Sequence, residues 1–248
     1  GFQFYQFQQN LNKNKIIRIF FLKILSRFIY SLSNKIIVTS KEHKKFIIDI
    51  FKINSDKITV IPNFVDLNIF KKRKEIIKNK KLLIVGRLNK QKNIELIINA
   101  ISNSKYELDI IGSGNKNIYK ELIKKNNAKV NFISKVKNKD LVYYYNRCAF
   151  YIMCSHFEGN PKTLLEAMAC ECAIIACKNR GIIDFLNEKS AFLTDNDATS
   201  IRKILDKYFD NEKIKKKYGK NARDLIAKYN DINKISYNFV KIYSEIND

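Results

Sequence analysis

The sequence predicts an α/β protein built from parallel, doubly wound sheets. Short runs rich in β-branched residues alternate with longer amphipathic stretches along the chain, which is the order that βαβ units produce. The short runs are continuously apolar and do not alternate strictly, as in strands that are covered on both faces. With 248 residues, of which 46% are apolar, the chain is long and apolar enough to form a large core in one or two domains.

Each predicted strand is an apolar run that ends at a turn residue or a polar loop. The eight runs are KIIVTS (35–40), ITVIP (58–62), LLIVG (82–86), LDIIG (108–112), VNFIS (130–134), FYIMCS (150–155), AIIAC (173–177) and AFLT (191–194). The stretches around them have the apolar spacing of helices, at 14–32, 41–51, 92–103, 116–126, 138–146, 162–170 and 197–209, with further helices to the end.

The repeats divide unequally along the chain. The segment 81–228 contains six strand–helix repeats, enough for one Rossmann-like domain. The segment 1–64 has only two strands and two helices, too few for an independent core, so we expect the end part of a first domain. The basic, aperiodic segment 65–80 is predicted as a linker, and 229–248 as a final helix that packs back toward the first domain.

The net charge of +23 and the pI near 9.7 suggest nucleic acid or an anionic membrane as a partner. However, abundant Lys with only 7 Gly, 2 Pro and no Trp is the pattern that an A/T-rich coding sequence imposes. The Lys residues are scattered, and no zinc-finger or RNA-recognition motif is present. A nucleic-acid-binding module is therefore kept as a less favoured alternative.

Cysteines and targeting signals give coarse expectations about location. An odd number of cysteines in apolar runs suits a reducing compartment. Buried thiols are favoured over a zinc site, since no C-x-x-C pair exists. No signal peptide is visible, and Arg18, Lys23 and Arg27 interrupt the most apolar segment. We expect a cytoplasmic protein and, because residue 1 is Gly, the later part of a longer chain. The cysteines are Cys148, Cys154, Cys170, Cys172 and Cys177.

The loop after the strand 82–86 carries two cations. Gly86 permits a tight exit from the strand, and Arg87 and Lys92 precede the next helix. Ligands of open α/β sheets bind beyond the carboxyl ends of the strands. There, an arginine fork and a lysine point charge can converge on one diphosphate. The alternative is that both are solvated surface charges, which 47 Lys and Arg make common.

The loop after the strand 108–112 contains half of a dinucleotide-binding fingerprint. Gly112 and Gly114 lie between a strand and a helix. The third glycine and the ribose-binding acidic residue of the full fingerprint are missing. Either the loop approaches a phosphate or the glycines serve the turn alone.

The stretch HFEGNPKTLLEAMAC contains an expected helix start. Asn160 is predicted as the N-cap and Pro161 as the first helical residue. The backbone N–H groups of Thr163 and Leu164 would then point out of the helix N-terminus. Such N–H groups form a ready site for an anion.

Two glutamates flank this helix start. Glu158 lies in the loop before it, and Glu166 lies in its first turns. Two carboxylates around a phosphate-binding helix start suit a ligand with hydroxyls at both ends and phosphates in the middle, which describes a nucleotide sugar. The alternative is an ordinary capped helix with a favourable acidic first turn.

Five stretches contain these motifs and their surroundings, KIIVTSKEHKKFI, KITVIPNFVDLNIF, LLIVGRLNKQKNIELIINAI, LDIIGSG and HFEGNPKTLLEAMAC. Together they resemble glycosyltransferase family four, the retaining enzymes of GT-B fold. The E-x7-E pair, Glu158 and Glu166, and the G-R-L-x-x-x-K arrangement, Gly86, Arg87 and Lys92, match its signature. The resemblance implies two Rossmann-like domains that face each other across a cleft, the C-terminal one complete here and the N-terminal one partial.

The resemblance also implies roles for the site residues. Arg87 and Lys92 would hold the diphosphate and stabilise the leaving group, Glu158 would position the transferred sugar, and Glu166 would bind the ribose. No metal or other cofactor is expected, because the two cations take over the role of a metal; the donor would be a UDP- or GDP-sugar. The other donor-binding positions are Gly86, Gly112, Val136, Asn160, Pro161, Lys162, Thr163 and Leu164.

The chain departs from the family pattern at two positions and in its extent. Phe64 and Glu171 each stand where the family often has glycine. The family's N-terminal domain carries a glycine-rich loop and most of the acceptor site, and only its last part is present. We therefore expect little or no sugar transfer by this chain alone, and an inactive truncated remnant is an open alternative.

The acceptor implied by the resemblance is a glycan or a lipid-linked molecule, as in surface polysaccharide or glycoconjugate biosynthesis. The basic, aromatic helix 14–32 suits peripheral contact with an anionic membrane, at the inner face of the cell membrane. Equally, it suits an ordinary packing helix.

Overall fold

The computed structural model describes residues 13–179, 181–183 and 185–247, without the side chains of 13–16 and 246–247. The described chain forms two compact units. One contains the residues up to Pro62 and from Ile235 onward, and the other is Asn63–Lys234.

The unit boundaries differ from the predicted domains in one main respect. The predicted linker 65–80 belongs to the second unit, because Val65 and Phe70 are buried in its core. The second unit also extends to Lys234, beyond the predicted limit at residue 228.

The first unit is a small parallel βαβ arrangement with additional helices. Ile36 of its first strand lies opposite Ile58 of its second strand. The connecting helix begins after Ser40, whose side chain accepts a hydrogen bond from the N–H of His43 at 3.1 Å. The elements are α1 (Lys13–Leu32), β1 (Ile36–Val38), α2 (Lys41–Phe51), β2 (Ile58–Val60) and, from Ile235 onward, α9 (Ile232–Asn247).

The second unit is built on a six-stranded, fully parallel sheet with the order β5-β4-β3-β6-β7-β8. This is the doubly wound Rossmann order, and its topological switch point lies between β3 and β6. The strands are β3 (Lys81–Val85), β4 (Glu107–Ile111), β5 (Lys129–Ile133), β6 (Phe150–Met153), β7 (Ile174–Cys177) and β8 (Phe192–Thr194).

Helices cover both faces of this sheet. Successive residues of β3 point to opposite faces, so Leu83 and Val85 lie in one core and Leu82 and Ile84 in the other. The helices are α3 (Ile94–Ala100), α4 (Lys120–Lys125), α5 (Leu141–Arg147), α6 (Lys162–Ala169), α7 (Ala198–Tyr208) and α8 (Glu212–Tyr229). Short 3-10 turns occupy 55–57, 90–92, 116–119 and 138–140.

All eight predicted strands are present, with ends shifted by at most two residues. Helix ends are less well predicted, because α3, α4 and α5 are each preceded by a 3-10 turn. All five cysteines are buried free thiols, as predicted. Among the helices of the described ranges, none is both long and apolar enough to cross a bilayer.

Candidate active site

The predicted site residues gather at the switch point of the sheet. The loop after β3 contains Gly86, Arg87 and Lys92, and the loop after β6 contains Glu158 and leads into α6. Because β3 and β6 are adjacent parallel strands, both loops leave the sheet at the same carboxyl edge. Open α/β sheets bind their ligands in the crevice at this position.

Lys92 and Glu158 form an ion pair across the two loops. The Lys92 Nζ donates to Glu158 Oε1 at 2.6 Å, and the side chains are only 15% and 9% exposed. A second link joins the loops, because the N–H of His156 donates to the carbonyl oxygen of Gln91 at 2.9 Å. The Gln91 Nε2 donates to the carbonyl oxygen of Phe157 at 3.1 Å. These bonds fix a lysine and a carboxylate at the crevice before any ligand arrives.

Gly86 makes room for the lysine. A Cβ atom added to Gly86 would lie 2.8 Å from Cε of Lys92. Arg87, by contrast, is exposed. Its guanidinium forms no hydrogen bond or ion pair with any residue that the structure describes, and its carbonyl oxygen accepts from the N–H of Asn89 at 3.0 Å. The loop therefore presents one lysine that is held by a carboxylate and one arginine that is available to an anion.

The Gly112 loop packs directly on the Gly86 loop. The N–H of Leu88 donates to the carbonyl oxygen of Ser113 at 2.8 Å. A Cβ atom on Gly112 would overlap the carbonyl oxygen of Gly86, so the close approach of the two loops requires glycine at this position. The half fingerprint thus has a structural role that supports the lysine-bearing loop.

The predicted start of α6 needs correction. Asn160 is not its N-cap and Pro161 is not its first residue. The helix begins at Lys162, and Pro161 occupies the cap position with an extended ψ of 108°. The N–H of Leu164 donates to the carbonyl oxygen of Pro161 at 3.0 Å. Of the two predicted anion-binding N–H groups, only that of Thr163 therefore remains.

Glu166 is buried and already holds two hydrogen bonds. Its Oε1 accepts from Asn138 Nδ2 and its Oε2 from the Tyr145 hydroxyl, each at 2.9 Å. Burial raises the pKa of Glu166, while these two hydrogen bonds and the charge of Lys162 oppose the shift. An ionised carboxylate has about four acceptor positions, so both oxygens retain capacity for ligand hydroxyls.

Val136 and Lys162 are two further predicted donor-binding positions. Val136 is partly buried against the core that contains Tyr145. The ammonium of Lys162 lies 5.1 Å from the ring centroid of Phe64, a cation–π contact that glycine at position 64 could not make. Lys162 therefore has an aromatic partner at the helix start.

Sequence reasoning missed several residues that shape the site. The Asn63 Nδ2 donates to the carbonyl oxygen of Asn160 at 2.5 Å. Gly181 has a φ of +75°, and a Cβ there would overlap the carbonyl oxygen of Glu158. Gly181 could have been singled out, since the chain has only 7 glycines. Asn63 and Asn138 carry no comparable signal in a chain rich in asparagine.

Sequence comparison decides the family. The profile described as "Glycosyl transferases group 1" matches residues 66–225, which is more than half of the chain, and "Glycosyltransferase Family 4" matches residues 5–69. The chain belongs to the group 1 glycosyltransferases. The recognition made from the motifs is thereby confirmed.

Two relatives illustrate the extent of the match to this family. One is the N-acetylgalactosamine-N,N'-diacetylbacillosaminyl-diphospho-undecaprenol 4-alpha-N-acetylgalactosaminyltransferase of Campylobacter jejuni. It is 29% identical over 239 residues, which cover 93% of this chain and 64% of that protein. The other is an uncharacterized glycosyltransferase of Methanocaldococcus jannaschii, 30% identical over 258 residues, covering 94% and 64%. The chain thus spans just under two thirds of the length of these relatives.

The fold agrees with that of solved protein structures. The crystal structure of Anabaena HepE in complex with UDP and glucose superimposes with a TM-score of 0.82 at 18% sequence identity. The match covers 90% of this chain and 66% of that chain. The predicted α/β architecture of GT-B type is confirmed.

Proposed function

We propose that the protein acts in a retaining glycosyltransferase that moves a sugar from a nucleoside-diphosphate sugar to a glycan or lipid-linked acceptor. The observation that carries this proposal is the Lys92–Glu158 pair at the switch point, with the exposed Arg87 on the same loop. A cation is then available for the anionic diphosphate of the donor, and a carboxylate is available for its hydroxyl-bearing sugar.

Each charged residue has a role that its surroundings support. Arg87 and Lys92 bind the diphosphate, and Glu158 accepts hydrogen bonds from hydroxyls of the transferred sugar. Glu166 accepts from the ribose while keeping its bonds to Asn138 and Tyr145. When the donor binds, the Lys92 ammonium donates hydrogen bonds both to Glu158 and to a phosphate. Because Glu158 also binds the sugar, the diphosphate and the sugar are oriented together.

The chemical step is a front-side displacement. The acceptor hydroxyl oxygen bonds to the anomeric carbon on the face from which the diphosphate leaves, and the bond from that carbon to the diphosphate oxygen breaks. The hydroxyl proton passes to the departing phosphate oxygen. Arg87 and Lys92 stabilise the negative charge that develops on the diphosphate. In this proposal the two cations do what a metal ion does in other transferases, and no protein nucleophile is used.

A thermal-shift panel tests the proposed donor class. UDP-, GDP- and ADP-sugars are compared with a polynucleotide, because the +23 charge makes nucleic-acid binding the rival function. We expect stabilisation by one nucleotide sugar, and loss of that stabilisation in Lys92→Met. Lys124→Met, an exposed lysine in the last turn of α4, is the matched control. Tight polynucleotide binding without any nucleotide-sugar effect would overturn the proposal.

A lipid-linked acceptor at the inner face of the cell membrane fits two observations. The name of the Campylobacter jejuni relative gives a diphospho-undecaprenol-linked acceptor. Within the first unit, α1 exposes a wide apolar surface beside Arg18, Lys23 and Arg27. Its most exposed apolar side chains are Ile17, Phe20, Phe21, Phe28 and Leu32, each at least 60% exposed. Such a basic, aromatic helix suits the interface of an anionic bilayer.

Flotation with liposomes tests this membrane contact. We expect binding to anionic liposomes that decreases with salt, and weaker binding after Lys23→Gln and Arg27→Gln. Lys124→Gln and Lys125→Gln, on α4 of the second unit, remove the same charge as a control. If all variants float equally, the charges of α1 do not contribute to membrane binding. That result would instead favour α1 as an ordinary packing helix.

A further inference from the structure

The basic run that was predicted as a linker forms one wall of a cleft in the second unit. The cleft has a volume of about 260 Å³. Helices α5 and α6 run from the carboxyl edge of the sheet back to its amino edge, and the cleft lies where they end. It therefore lies at the edge opposite to the candidate active site. Its polar lining consists mainly of Lys72, Arg73, Lys74, Lys78, Asn146 and Glu171.

The backbone of the basic wall is held in place by a buried side chain. Asn146 is 5% exposed. Its Oδ1 accepts from the N–H of Arg73 at 2.7 Å, and its Nδ2 donates to the carbonyl oxygens of Lys71 and Val142 at 3.0 and 2.9 Å. The cationic side chains therefore project from an ordered backbone, which lowers the entropy cost of ligand binding.

The cleft has more positive charge than its own groups neutralise. The cleft is lined by four cations; the carboxylate of Glu171 binds Lys72 at 3.1 Å, and that of Glu75 lies 3.7 Å from Arg73. The ends of α5 and α6 contribute about half a negative charge each, which leaves an excess of about one positive charge. Lys74 and Lys78 form no hydrogen bond or ion pair with any residue of the described ranges.

We propose that this cleft binds a compact phosphorylated anion with one or two phosphate groups. The volume is below the roughly 300–1,000 Å³ of pockets that hold drug-sized molecules, which favours a phosphate or diphosphate group over a whole nucleotide sugar. Lys74 and Lys78 are available to bind it. The other two cations already have carboxylate partners, Glu171 at 3.1 Å from Lys72 and Glu75 at 3.7 Å from Arg73.

The cleft is separate from the donor site and can be tested separately. Tyr145 lies between them, since this residue lines the cleft and its hydroxyl donates to Glu166. Inorganic pyrophosphate is titrated calorimetrically into the wild-type chain, into Lys92→Met and into the double variant Lys74→Gln/Lys78→Gln. Lys124→Gln/Lys125→Gln is the control for loss of charge. Circular dichroism checks that every variant is folded.

We expect pyrophosphate binding that persists in Lys92→Met and in the control. It should weaken about tenfold in Lys74→Gln/Lys78→Gln, since two exposed cations that line the cleft are lost. Glu171→Gln should tighten binding, because it removes the carboxylate that competes with the ligand for Lys72. Vesicles of phosphatidylcholine with or without phosphatidic acid, tested on the same variants, distinguish a lipid headgroup from a free anion as the source of the phosphate.

Two results would overturn this site. In the first, Lys74→Gln/Lys78→Gln binds pyrophosphate as tightly as the wild-type chain, even if its melting temperature is lower; the cations would then only stabilise the ends of α5 and α6. In the second, Lys92→Met alone abolishes all pyrophosphate binding. The donor site would then account for every bound anion.

Discussion

Lys92 and Glu158 neutralise each other in a nearly buried position, so the removal of one leaves an uncompensated charge. We expect Lys92→Met to lower the free energy of unfolding by about 3 kcal/mol. The double variant Lys92→Met/Glu158→Gln should recover most of this loss, because both charges are then absent. Urea unfolding of the two single variants and the double variant measures this coupling.

Ligand binding by the same three variants separates stability from function. We expect all three to bind UDP or the matching nucleotide at least tenfold more weakly, since a charge-assisted hydrogen bond to phosphate is lost or misplaced. A double variant that regains both stability and full nucleotide affinity would show that the pair is purely structural.

Glu166 should make stability depend on pH in a predictable direction. Burial raises its pKa in the folded protein above the ordinary value of 4.5, so folding favours the protonated form. The stabilisation is fully present below pH 4.5 and is lost as the pH rises through the folded pKa. We therefore expect the unfolding free energy of the wild-type chain to fall in this window relative to Glu166→Gln.

Urea unfolding of both proteins in steps from pH 4 to pH 7 measures the difference. A difference that stays constant over this range would contradict the raised pKa of Glu166. Nucleotide affinity at pH 7, measured on the same two proteins, reports separately on the proposed ribose contact.

Single residues also show where sequence reasoning reached its limit. The Glu158–Glu166 spacing and the Gly86–Lys92 loop led directly to the family. The cap at Asn160 was wrong, because Pro161 adopts an extended ψ of 108° and therefore lies outside the helix. The burial of Glu166 under Asn138 and Tyr145 could not be predicted, since its partners are 28 and 21 residues away.

At the scale of elements, the loop that contains Gly181 supports the loop that contains Glu158. Gly181→Ala meets two obstacles, a φ of +75° and an overlap with the carbonyl oxygen of Glu158. We expect a loss of roughly 2 kcal/mol in stability together with weaker nucleotide binding, because Glu158 must shift. Chemical unfolding and calorimetry measure the two effects.

Gly219→Ala is the matched control. A Cβ on Gly219 of α8 would overlap another carbonyl oxygen, that of Glu171, which lies away from the candidate active site. This variant should lose stability while keeping its nucleotide affinity. If Gly181→Ala binds nucleotide as tightly as Gly219→Ala does, the Gly181 contact has no role in the site.

Strands were easier to predict than helix ends for a physical reason. The central strands β3, β6 and β7 are buried along almost their whole length, so they are nearly continuous apolar runs whose limits are visible in the sequence. Helix ends are set by turns and caps. For example, Asn89 caps a 3-10 turn at 90–92 through a bond to the N–H of Lys92, and α3 begins only at Ile94.

At the scale of the whole molecule, the linker was mispredicted because its contacts are remote. The segment 65–80 has no period of its own, yet Asn146 binds the N–H of Arg73 across 73 residues. Arg223 donates to the carbonyl oxygen of Phe70 across 153 residues. Side chains so distant in sequence leave no local pattern. A basic, aperiodic run can therefore belong to a compact unit.

The candidate donor residues and the expected acceptor site should be separable in one experiment. All the candidate donor-binding residues lie in the second unit, whereas the chain spans 64% of the length of the two relatives described above. The family resemblance implies an acceptor site mostly within the N-terminal domain. We expect this chain to bind its nucleotide sugar but to transfer little or no sugar to a lipid-linked acceptor.

Calorimetry with nucleotide sugars and release of nucleoside diphosphate in the presence of acceptor measure the two steps. Lys92→Met serves as the blank for both, because it removes donor binding without touching the first unit. Turnover by the wild-type chain well above this blank would show that the residues present suffice for acceptor recognition. Absence of donor binding would instead support an inactive remnant. Binding without turnover assigns the donor half of the reaction to the second unit, where the Lys92–Glu158 pair lies.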